Sequence, residues 1–147
     1  MTTVREATFQ MLRERGMTTI FGNPGSTELP MLAEPDRPLV CVLGEGSAQY
    51  AITGFWTAAA YGLPVTFLVL NNSEYSILKW FAGLESVEGA PGLDLPALDC
   101  AAVAQSYGVR SERAGSRDEL HTALSGAIEA AEPRLVEVAV QPGMSIG

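Results

Sequence analysis

The unbroken apolar run Leu39-Val40-Cys41-Val42-Leu43 and the stretch from Val65 to Leu70, apolar but for Thr66, constrain this chain more than any other feature. Neither run alternates polar with apolar residues, so both predict strands buried on both faces of a parallel sheet. Helical spacing follows the first run at Ala48, Ile52, Phe55 and Ala59. After the second run, helices are predicted over Tyr75 to Phe81 and Asp99 to Tyr107. A strand near Val109, a helix from Arg117 to Ala131 and a strand from Leu135 to Val140 complete the alternation. Strands alternating with helices predict an α/β class: a three-layer parallel sheet with helices on both faces.

Local signals sharpen the outline. Thr3 with Glu6, and Ser116 with Glu119, form capping boxes, and each precedes an apolar stripe. The first stripe is Val4, Ala7, Met11 and Leu12, ended by Gly16. The second is Leu120, Leu124, Ala127, Ile128 and Ala131. Between Gly16 and the first apolar run, Thr18 to Phe21 reads as a short strand and Gly22-Asn23-Pro24-Gly25 as a turn. Ser26 is placed to cap a helix starting at Glu28 and Pro30. Two prolines and three charges make Ala33 to Pro38 a connector. Gly83 to Pro96 reads as a loop, and its carboxylates from Glu85 to Asp94 as solvated surface.

Charge and cysteine usage narrow the partners. A net charge of −8 argues against nucleic acid or an anionic membrane surface. No run approaches the roughly 20 apolar residues of a membrane span, and the alternating Arg and Glu of the first fifteen residues do not read as a signal peptide. Cys41 and Cys100 are far apart and outside any CxxC pattern, so buried free thiols in a reducing cytoplasm are expected. The single histidine, His121, falls beside a helical apolar stripe and reads as a surface residue.

In parallel sheets ligands bind outside the carboxyl ends of the strands. Leu43 runs into Gly44-Glu45-Gly46-Ser47, and Leu70 into Asn71-Asn72-Ser73-Glu74. Gly44 and Gly46 allow close backbone approach, and a helix starting at Ser47 would offer free N–H groups to a phosphate. A carboxylate at Glu45 and an amide oxygen at Asn72 or Asn71 are hard ligands suited to magnesium. There is no G-x-G-x-x-G and no G-K-[ST] phosphate loop, which argues against an unrelated nucleotide-binding protein.

Gly44-Glu45-Gly46-Ser47 followed by Asn71-Asn72 resembles the motif of the thiamine-diphosphate-dependent 2-oxo-acid decarboxylase family, which opens with Gly-Asp-Gly and closes with Asn-Asn. Ser47 to Tyr50, Phe55 to Ala59, Leu70 to Tyr75 and Lys79 to Gly83 resemble its benzoylformate decarboxylase branch, as does Phe21 to Ser26 with Glu28-Leu29-Pro30. The resemblance implies a thiamine-diphosphate-binding fold, incomplete here. Residues 1–32 resemble the start of a pyrimidine-binding domain, 33–38 a connector, and 39–147 a diphosphate- and magnesium-binding domain. It implies thiamine diphosphate and Mg2+ as cofactors. Glu45, Asn72 and the backbone carbonyl of Glu74 would be metal ligands, and Gly44, Gly46, Ser47 and Ala48 would receive the cofactor. Ile77, Leu78 and Phe81 would line the substrate pocket, and Ser26 would contact a substrate carboxylate. Without the resemblance, Trp80 and Phe81 read as packing residues rather than as a pocket.

Two departures from the family pattern carry expectations. Glu in place of Asp at position 45 adds a methylene to a ligand of an ion that demands near-ideal octahedral distances, predicting weaker affinity. The family's activating glutamate, expected soon after Glu28-Leu29-Pro30, is absent because the chain passes from Met31 and Leu32 to the connector, and two proton-transferring histidines are absent with it. The expected function is therefore cofactor binding in a decarboxylase acting on an aryl 2-oxo acid, inactive as this chain alone. The alternative is a non-catalytic remnant serving as a scaffold or interaction module. Homo-oligomerisation is expected in either case, and a small-molecule 2-oxo acid is the expected substrate if the chain is active.

Overall fold

A computed structural model describes residues 4–16, 38–50, 52–87 and 89–143. Strands β1 (Leu39–Gly44), β2 (Val65–Asn71), β3 (Arg110–Ala114) and β4 (Arg134–Ala139) form one sheet in the order β1-β2-β4-β3, with every pairing parallel. The helices are α1 (Val4–Glu14), α2 (Glu45–Tyr50), α3 (Thr53–Tyr61), α4 (Ser76–Leu84), α5 (Cys100–Ser106) and α6 (Arg117–Glu129). The chain moves one way across the sheet from β1 through β2 to β3, then back to β4. Right-handed crossovers then require helices on opposite faces for the two directions. The packing agrees: α2, α3 and α5 bury Ala48, Phe55, Ala58, Ala101 and Ala104 with Phe67, Val69 and Leu135. On the other face, α6 buries Leu120, Leu124 and Ala127 with Leu68, Val136 and Val138. The α/β sheet with both faces covered is thus the observed fold.

The central strand behaves as its composition predicts, because Val65 to Val69 are all buried. The first apolar run does not. Among the described strands β1 lies at an edge, where Cys41 and Leu43 are buried but Val42 is 38% exposed. An edge strand has a neighbour on one side only, so helices that cover the sheet centre leave part of its second face bare.

Helix boundaries follow their caps. The Ser116 hydroxyl accepts from the Glu119 N–H at 3.2 Å, as the capping box predicts. The reciprocal bond is displaced by one residue, with Glu119 Oε2 accepting from the Gly115 N–H at 2.7 Å. Asp99 caps α5 by accepting from the Ala102 N–H at 2.8 Å. At the N-terminus, α1 packs against α6 through buried Met11, and Arg15 pairs with Glu129 at 3.3 Å and donates to Ser125 at 2.8 Å. The predicted Thr3 cap, the Thr18–Phe21 strand, the Glu28 helix, Ser26 and most of the Ala33–Pro38 connector lie outside the described residues. Among the described residues no helix is long and apolar enough to cross a membrane, and both cysteines are free and buried.

Candidate cofactor site

In the sheet register Gly44 pairs with Leu70, so the residues that follow β1 and β2 emerge side by side. Glu45 follows β1 directly and is the first residue of α2. The helix therefore starts two positions earlier than the Gly-Glu-Gly-Ser spelling suggests, with Gly46 in its first turn. Glu45 is only 2% exposed. Its Oε1 accepts from the Asn72 N–H at 3.2 Å and from the Glu74 N–H at 3.0 Å. The longer side chain spans the gap between the two loops and docks on both amides. The Glu74 N–H also reaches Asn72 Oδ1 at 3.3 Å, so the Glu45 carboxylate and the Asn72 carboxamide oxygen converge on one point.

The chain turns there because Ser73 adopts a left-handed conformation, with φ of 61°. Asn71 stabilises the turn: its Oδ1 accepts from the Ser73 N–H at 3.0 Å and from the Ser73 hydroxyl at 3.3 Å, an Asx-turn arrangement. The two asparagines therefore separate. Asn72 faces Glu45, while Asn71 Nδ2 donates to Glu137 Oε1 at 2.7 Å and its oxygen is engaged by Ser73.

Glu74 is anchored by its side chain as well. Oε1 accepts from the Ser76 hydroxyl and the Gly143 N–H, each at 2.6 Å, and Oε2 pairs with Lys79 at 2.5 Å. The Lys79 hydrogen bond, then those from Ser76 and Gly143, hold the carboxyl well below its ordinary range, at about 2. Lys79 also pairs with Asp94 at 2.6 Å. The segment around Asp94 is thus not merely solvated surface. Tyr75 N–H donates to the Leu93 carbonyl at 2.9 Å and Leu95 N–H to the Ser73 carbonyl at 2.9 Å. These ladder bonds flank Glu74 without engaging its carbonyl.

Gly46 is buried beneath the Tyr75 ring, and a Cβ at position 46 would fall inside that ring's van der Waals envelope. Glycine is required there by close approach of a side chain of this chain. Ser47 is half-buried and Ala48 buried behind it. Ile77, Leu78 and Phe81 lie on α4, a helix with no buried residue, and each is about half exposed. His121 is exposed on α6, which packs on the opposite face of the sheet from α2.

Among the described residues no three His, Cys, Asp or Glu side chains cluster as a metal site. The oxygens gathered after β1 and β2 are instead the Glu45 carboxylate and the Asn72 carboxamide oxygen. That donor set suits a hard divalent cation. A carboxylate this buried, with only N–H partners among the described residues, also favours a cation beside it.

A motif-based reading misses one buried group, Glu137. Its signal in the sequence is a charge that interrupts the apolar stretch Leu135 to Val138 in mid-strand, where a charge is rarely buried without partners. Glu137 is 5% exposed and satisfied by Asn71, by the Ala101 N–H at 3.1 Å and by Arg113 Nε at 3.4 Å.

Residues 5–138 match the thiamine pyrophosphate enzyme family, C-terminal TPP-binding domain. The chain belongs to that family. It is 46% identical to benzoylformate decarboxylase of Pseudomonas aeruginosa over 121 residues, covering 82% of this chain and 23% of that enzyme. The fold superposes on 4-hydroxybenzoylformate decarboxylase of Rhodococcus jostii with a TM-score of 0.74 and 38% identity. On benzoylformate decarboxylase of Polynucleobacter necessarius the TM-score is 0.73 with 36% identity. Each superposition covers 78% of this chain and 22% of the other. The chain thus spans under a quarter of the length of these relatives, and it corresponds to the cofactor-binding domain of a benzoylformate decarboxylase-like enzyme. Thiamine diphosphate and Mg2+ are the usual cofactors of such enzymes.

Proposed function

We propose that this chain binds thiamine diphosphate through Mg2+ held by the Glu45 carboxylate, the Asn72 carboxamide oxygen and the Glu74 carbonyl. The observation that carries the reading is the convergence of Glu45 and Asn72 on the Glu74 N–H at two neighbouring strand ends. Gly46, Ser47 and Ala48, in the first turn of α2, would take the diphosphate, and Gly44 lets the chain leave β1 beside it. Both amides engage Glu45 Oε1, which leaves Oε2 to meet the metal. When bound, thiamine diphosphate supplies a nucleophilic carbon and an electron sink for decarboxylation of a 2-oxo acid. The residues of this chain hold and orient that group and keep water from the buried carboxylate. Ile77, Leu78 and Phe81 present an apolar surface suited to an aryl substrate, and Ser26 would meet its carboxylate.

The chain alone does not turn over substrate on this reading. Its one histidine lies on the far face of the sheet, so no imidazole serves as acid or base at the strand ends. The exposed apolar residues of α4, together with Trp56 and Tyr61 on α3, favour self-association. A strictly monomeric mass by solution scattering would overturn self-association.

Calorimetric titration with thiamine diphosphate, with and without Mg2+, tests the site on wild type and Glu45→Ala. Saturable binding that needs Mg2+ and weakens more than about 100-fold in the variant is expected. A folded wild type that binds nothing at millimolar cofactor would leave kinship of fold without the chemistry. Benzoylformate decarboxylation above background by the isolated chain would overturn the assignment of inactivity.

A further inference from the structure

Glu137 stands apart from the proposed ligands yet connects to all of them. It projects from β4 on the same face as Leu135, and its register partner is Val69, two residues before Asn71 on that face. Its two oxygens divide the work: Oε1 accepts from Asn71 Nδ2, and Oε2 accepts from the Ala101 N–H and meets Arg113. Arg113 is held in turn by Asp99, the cap of α5.

An ionised carboxylate only accepts hydrogen bonds. Asn71 must therefore present its NH2 to Glu137, and the geometry of a carboxamide then sends its oxygen the other way, to Ser73. That oxygen holds the left-handed turn that points the Asn72 and Glu74 amides at Glu45. A left-handed conformation at a serine is strained and persists only where neighbours enforce it.

We propose that Glu137 is a positioning residue for the cofactor site: acting through Asn71, it sets the conformation of the Asn72–Glu74 segment and thereby the affinity for Mg2+. Its effect on affinity rests on the cofactor-binding reading above; its effect on the loop does not. Supporting groups behind metal ligands commonly change metal affinity by about 10- to 100-fold. Glu137→Gln disturbs the relay because one carboxamide oxygen cannot serve both Asn71 and Ala101. Adding Asn71→Asp restores the polarity: the introduced glutamine would accept from Ala101 and donate to the introduced aspartate, whose second oxygen still accepts from Ser73.

The test follows the backbone amide resonances of Ser73 and Glu74 without metal or cofactor, then titrates Mg2+ at saturating thiamine diphosphate. Glu137→Gln should move both amides and weaken Mg2+ by about tenfold, and the double variant should return the amides toward wild-type positions. Leu124→Ala, in the other core, should lower stability without moving them. Should Glu137→Gln fail to fold, Asn71→Ala removes the intermediary and must still shift the Glu74 amide. Unmoved amides in either folded relay variant, or equal movement in Leu124→Ala, would overturn the proposal. Moved amides in a protein that binds no cofactor would support the relay and reject the cofactor reading instead.

Discussion

One buried glutamate directly follows β1 and another lies within β4, and the two are satisfied differently. Glu137 receives an amide N–H, a carboxamide and a guanidinium, so its charge is compensated within the protein. Glu45 receives two backbone N–H groups, and among the described residues no cation pairs with it. Taking a carboxylate out of water costs several kcal/mol unless charge or strong hydrogen bonds compensate. The contrast separates a structural carboxylate from one that leaves room for a cation from solution. Both are buried, so exposure alone would not tell them apart.

Deleting each carboxylate in turn puts this contrast under the greatest strain. Glu137→Ala leaves the Asn71 Nδ2 and the Ala101 N–H without their carboxylate, and should lower unfolding free energy by about 1–3 kcal/mol for each of these groups in urea denaturation, whereas exposed Arg113 keeps Asp99. A loss below about 0.5 kcal/mol would mean that the hydrogen bonds of Glu137 are not structural. Glu45→Ala leaves the Asn72 N–H unpaired and should cost about 1–3 kcal/mol in protein free of cofactor. Its larger mark should be loss of the melting-temperature rise that Mg2+ and thiamine diphosphate give wild type. An equal ligand-induced rise in the variant would remove Glu45 from the site.

A third test concerns the floor of the Glu45 site. Gly46→Ala puts a methyl group into the Tyr75 ring, an overpacking worth about 1–3 kcal/mol, and Tyr75→Ala in the same chain should relieve most of it. No relief would show that the strain lies in the backbone of α2. The smallest effect reads both carboxylates at once through Cys100. Burial first, then the charges of Glu137, Glu45 and Asp99, push this thiol up to about 12. In a Cys41→Ala background, Glu137→Gln should lower the value more than Glu45→Gln does, as followed by thiolate absorbance. The reverse order would place Glu45 nearer to the thiol than Glu137. For stability the sign follows from a raised value: the contribution of the neutral thiol is complete below 9.0 and is lost as pH climbs through about 12.

Much of the fold is legible in the order of residues. Apolar runs and helical stripes locate β1, β2, β4 and most described helices, because burial of an apolar face is dictated by spacing along the chain; β3, Arg-Ser-Glu-Arg-Ala, has no such run. The Gly-Glu-Gly and Asn-Asn loops are legible as a candidate site because each directly follows an apolar strand. Other features are not. The composition of β1 predicts burial on both faces, yet Val42 faces outward because strand order, which spacing does not encode, puts β1 at an edge among the described strands. A helix predicted from Ser47 begins two residues earlier, because Gly-Glu-Gly is spelled like a turn but folds as the first turn of α2. Along the chain Lys79 and Asp94 are unrelated surface charges; folding brings Lys79 between Glu74 and Asp94.

The α/β class, the positions of the strands and the pair of polar loops at their carboxyl ends all follow from the amino-acid sequence. These depend on periodicity and on residues near one another in the chain. That Asn72 rather than Asn71 faces Glu45, that Tyr75 rests on Gly46, and that Glu137 reaches across from β4 to hold the loop emerge only in three dimensions. Each of those contacts joins segments distant in sequence, and hydrogen-bond direction between them is set by sheet register and strand order. A pattern read along one chain segment carries neither.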